Sequence, residues 1–89
     1  MELIKINQSN GKQAVSAREL HTFLEIETRF YDWVKRMCDY GFVDGVDYSK
    51  MSIDNQQVDY ALTVSTAKHW SMMQRTPLGM KARQYFIDV

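Results

Sequence analysis

The chain of 89 residues predicts an α+β fold, a single small domain over residues 1–89 with two β-hairpins each followed by a helix pair (ββααββαα). Three observations predict it. Asn10-Gly11 separates two short apolar runs, the stretch from Val15 to Phe42 carries two helical repeats, and Val58 to Val64 alternates strictly between apolar and other residues. At this length one core is all that the chain can bury.

In chain order, Leu3, Ile4 and Ile6, then Ser9-Asn10-Gly11-Lys12, then Ala14-Val15 read as a hairpin. A type I′ turn needs positive φ at both central residues, and Asn-Gly tolerates this with least strain. Ser16 with Glu19 forms a capping box, with Val15 and Leu20 as its hydrophobic staple. Leu20, Phe23 and Leu24 continue this first helix, and Thr28 is the expected cap of the second. Phe30, Trp33, Val34, Met37 and Cys38 then fall at i, i+3, i+4, i+7 and i+8, one apolar face for a core. Gly41 is expected at C′, with Phe42 folding back on Met37. The pair reads as a helix-turn-helix.

Val43-Asp44-Gly45 reads as a turn, Val46 to Ile53 as a strand, and Asp54 to Gln57 as a polar connection. Val58, Tyr60, Leu62 and Val64 alternate with Asp59, Ala61 and Thr63, a half-buried strand with Asp59 outward. Thr63 or Ser65 caps a third helix running to about Gln74, with Ala67, Trp70 and Met73 inward. Thr76-Pro77 opens a fourth, because proline at the first helical position loses no hydrogen bond. Leu78, Ala82, Tyr85, Phe86 and Val89 share its core face.

Composition excludes several functions. No stretch approaches the ~20 apolar residues of a membrane span, and Met1 to Asn7 lacks the basic-then-apolar order of a signal peptide. One cysteine cannot form an internal disulfide, and a cytoplasmic location is expected. His21, His69 and Cys38 fit no zinc spacing, and no Gly-rich loop or nucleophile motif occurs. No metal, cofactor or catalytic activity is expected.

Net charge is zero, yet its distribution is uneven. Asp39, Asp44, Asp47, Asp54 and Asp59 face Lys50 alone, whereas from Tyr60 onward Lys68, Arg75, Lys81 and Arg83 face only Asp88. Two surfaces could serve a macromolecular partner. In a helix-turn-helix the outward N-terminal residues of the second helix meet base edges, here Thr28, Arg29, Tyr31, Lys35 and Arg36, with Asp32 among them and expected to pair with Arg36. A DNA target would require a homodimer. The other surface is acidic: Asp44, Asp47, Asp54 and Asp59 would share one exposed end of the second hairpin and suit a basic protein surface.

The blocks VSARELHTFLEIETRFYDWVKR, GFVDGVDY, DYALTVSTAKHW and RTPLGMKARQYFI resemble, in this order, the AntA/AntB antirepressor domain of bacteriophages and prophages. The resemblance covers nearly the whole chain. It implies a non-enzymatic regulatory domain of the bacterial host cell's cytoplasm, which binds a protein such as a phage repressor to relieve repression. Direct DNA binding and inhibition of a host defence system are the alternatives. It carries over the residues around Ser16, Arg18, Glu19, Leu20, Arg29, Phe30, Trp33, Lys35 and Arg36, and a tail block of Arg75, Thr76, Gly79, Ala82, Arg83, Tyr85 and Phe86. Family members commonly continue into another domain. His69-Trp70-Ser71 departs from the smaller aliphatic residues expected in the third helix.

Overall fold

A computed structural model describes residues 6–9, 12–52 and 57–88, with side chains from Gln13 onward. The elements follow as β1 (Ile6–Ser9), β2 (Lys12–Ser16), α1 (Ala17–Phe23), α2 (Phe30–Cys38), β3 (Tyr48–Ser52), β4 (Val58–Leu62), α3 (Val64–Met73) and α4 (Pro77–Asp88). The α+β class is as expected. The hairpins are not separate units, because β2 pairs with β4 and gives one antiparallel sheet in the order β1-β2-β4-β3.

Register decides which face is buried. Val15 lies opposite Leu62, and Leu62 opposite Tyr48. Val15 and Leu62 are fully buried with Leu20, Trp33, Ala67 and Trp70, so this row faces the helices. The adjacent row, Ser16–Ala61–Ser49, faces the other way, since successive side chains in a strand alternate. Asn10, Gly11, Leu3, Ile4, Ile53 and Asp54, and with them the turn expected at Asn10-Gly11, lie outside the described residues.

The helix starts follow local chemistry. Ser16 Oγ accepts from Glu19 N at 3.2 Å, and Thr63 Oγ1 from Thr66 N at 3.0 Å. Thr76 Oγ1 accepts from Gly79 N, also at 3.0 Å, ahead of Pro77. Helix α2 departs from expectation: its N-cap is Arg29, without a side-chain bond, and not Thr28. Thr28 is held through its carbonyl, 2.7 Å from His21 Nε2. At the far end Asp39 is the C-cap, so Gly41, at φ 106°, falls one residue beyond C′. Phe42 is set against α3, its ring 5.8 Å from Trp70. The strand expected from Val46 begins at Tyr48, because residues 45–47 form a turn closed by Gly45 N on the Tyr48 carbonyl.

The core is welded at two places. Trp33 of α2 and Trp70 of α3 meet edge to face at 5.4 Å, a geometry that aromatic quadrupoles favour. Helix α4 crosses α3 through Gly79, where an added Cβ would stand 2.5 Å from the Ser71 carbonyl oxygen.

Candidate functional site

Helix α2 presents one apolar and one charged face because its apolar residues recur at helical spacing. Phe30, Trp33, Val34 and Met37 are buried, leaving Arg29, Asp32, Lys35 and Arg36 exposed. Asp32 pairs with Arg29 at 3.2 Å and not with Arg36. Both side chains are more than half exposed, so the pair adds little stability; its effect is to neutralise one cation of the face. Tyr31 is exposed but tethered: its hydroxyl accepts from Arg18 Nη2 at 3.0 Å and from Val58 N at 3.3 Å. Of the residues expected to read bases, Thr28 and Tyr31 are engaged within the fold, whereas Arg29, Lys35 and Arg36 share an exposed face. The connection between α1 and α2 covers residues 24–29, with Glu25 in the left-handed region at φ 54°. That is longer than the three to four residues usual in helix-turn-helix motifs.

The acidic set is divided. Asp59 is 7% exposed and accepts from Ser16 Oγ, from Arg18 N at 3.1 Å and from Tyr60 N at 2.7 Å. The expectation that it faces outward is corrected: its carboxylate caps the first turn of α1 from another element, where unpaired N–H groups and the helix dipole favour an anion. Arg18 completes the clasp. Its Nε donates to the Val58 carbonyl at 2.7 Å, and its guanidinium stacks 4.2 Å from the Phe30 ring centre. Asp47 is half-buried and accepts from Val43 N at 2.7 Å, which fixes the turn. Asp44 is exposed beside it, and Asp54 lies outside the described residues.

Sequence reasoning missed what accompanies Asp44. Between Asp39 and Asp47, Tyr40 is 65% exposed, Val43 53% and Val46 69%. Large apolar side chains concentrated on one surface segment mark interaction sites. The signal is present in the composition of the segment, but the sequence reads Val46 as strand and Val43 as a plain turn. Behind the segment, Cys38 and Tyr48 share a side-chain hydrogen bond. Burial first raises the Cys38 thiol above its ordinary value, which suits a proton-bearing structural group and not a nucleophile.

Among the described residues no group of three metal-ligating side chains occurs, and no helix is long and apolar enough to cross a membrane. A family model described as AntA/AntB antirepressor matches residues 15–76, from the end of β2 to the cap of α4. Neither the curated proteins nor the solved structures provide a match.

Proposed function

Because the chain belongs to the AntA/AntB antirepressor family, we propose that it is a phage regulatory domain that binds a repressor protein directly and so relieves repression. The family is regulatory rather than catalytic. The contact surface in this reading is the segment of residues 39–47. Its exposed Tyr40, Val43 and Val46 supply apolar area for a protein partner, while Asp39 and Asp44 suit the basic surface by which a repressor holds DNA. The observation that carries the reading is this mixture of large apolar and acidic side chains on one exposed segment. Direct DNA contact through Arg29, Lys35 and Arg36 is less favoured, since Asp32 offsets Arg29 and the chain as a whole carries no excess of cations.

The test uses the repressor and operator encoded in the same phage genome. In a gel-shift titration, the chain should release the operator from its repressor without itself shifting the operator. Replacing Val43 and Val46 by Ser and Asp44 by Asn should slow association with the repressor, most at low salt. A shift of bare operator by the chain alone, steeply salt-dependent and lost in Arg29→Ala with Lys35→Ala, would establish DNA binding instead. Binding to neither would overturn both.

A further inference from the structure

Two surfaces of this chain complement one another. The first is a groove of about 390 Å³ on the sheet. Ala14, Ala61 and Ser49 line it with small side chains and Gly45 with bare backbone, and Val46 and Met51 stand exposed beside them. Asp44 adjoins it, bridged to Tyr48 through the backbone. The second is the outer side of α4. Met80, Arg83 and Ile87 are all exposed and fall at i, i+3 and i+7, so they form one stripe. Met80 is 71% exposed. Among the described residues the one ion pair joins Arg29 to Asp32, and neither Asp44 nor Arg83 forms one there.

We propose that α4 of one copy docks in the sheet groove of a second copy, Met80 and Ile87 meeting Val46 and Met51 while Arg83 faces Asp44. Grooves of this kind take amphipathic helices through anchors at i, i+3 and i+7. The small side chains of the groove let a helix approach closely, and its acidic neighbour matches the cation between the two apolar anchors. Opposite charge also favours this partner over distance: the acidic middle of one copy attracts the basic tail of the next, and zero net charge leaves no overall repulsion between copies. The inference stands apart from the repressor reading, because self-association needs no repressor. It has a consequence for that reading, since a docked copy covers Asp44 and Val46.

Light scattering across a concentration series at low and high salt tests it. The average mass of the wild-type chain should rise above one chain with concentration, and less so at high salt. Asp44→Lys alone and Arg83→Glu alone should each weaken association about tenfold or more, with circular dichroism unchanged. An equimolar mixture of these two variants should regain it, because each reversed charge then meets its complement. Met80→Ser should weaken association without altering charge. A wild-type chain that stays at one-chain mass to high concentration, single variants that associate as the wild type does, or a mixture that fails to recover would overturn the proposal.

Discussion

The two helix pairs are fixed in different ways. Helices α3 and α4 are joined by residues 74–76, with Arg75 at φ 53°, and touch directly: Gly79 lies against the Ser71 carbonyl, and only the absence of a side chain allows it. Helices α1 and α2 are joined by residues 24–29, touch through the His21 ring against Phe30 and Trp33, and are also clasped by a third party. Strand β4 supplies Asp59 to the first turn of α1 and the Val58 carbonyl to Arg18, and its Val58 N–H reaches Tyr31 at the start of α2. One pair is therefore held by close backbone approach, the other by a polar clasp built from residues 27 to 43 positions apart.

The contrast predicts a ranking. Gly79→Ala should destabilise most, by about 3 kcal/mol of overpacking, offset in part by the ~1 kcal/mol that alanine gains over glycine in a helix. A midpoint of urea unfolding equal to the wild type would show that α4 simply moves aside. Asp59→Ala should cost about 2 kcal/mol, because Arg18 N and Ser16 Oγ lose a buried acceptor. Asp59→Asn should cost less, since its amide oxygen still accepts. Ser16→Ala combined with Asp59→Ala should cost less than the sum of the two; strict additivity would break the idea of a clasp.

The smallest effect concerns the sheet edge beside the clasp. The hydrogen bond to Cys38, then burial, push the Tyr48 phenol up to about 12. The folded state thus keeps a proton that the unfolded chain releases near 10, so this contribution is complete below pH 10 and is lost as pH climbs towards 12. Tyr48→Phe should flatten that part of the alkaline fall in stability, read as the thermal midpoint against pH. An unchanged slope would assign the fall to other groups, such as Tyr60, whose phenol burial also raises.

Legibility in the sequence followed the range of the deciding interaction. The buried face of α2 was readable because Phe30, Trp33, Val34 and Met37 announce it within eight residues, and Thr63 and Thr76 announce their helices as locally. Asp59 was not. Period-two alternation places it outward, and only the start of α1, more than 40 positions earlier, gives a carboxylate there something to bind. The Thr28 cap failed for a similar reason: His21, seven residues back, holds that backbone, and α2 begins one residue later. Val46 read as strand from its neighbours, whereas the Gly45 turn and the Asp47 bond to Val43 decide its exposure. The exposed segment 39–47 became visible only once burial was known, because an apolar residue in a sequence does not state which way it faces.

Trp33 and Trp70 are the only two tryptophans of the chain, and both lie fully buried in edge-to-face contact, one on α2 and one on α3. Among the described residues their indole N–H groups meet no acceptor. The pair is therefore a built-in optical gauge. Its emission should be that of a dry, apolar site and should shift to the red when α2 parts from α3, so that separation of the two helices can be followed without a label. A partner bound at the outer surface that leaves this light unchanged has met the domain as a rigid body.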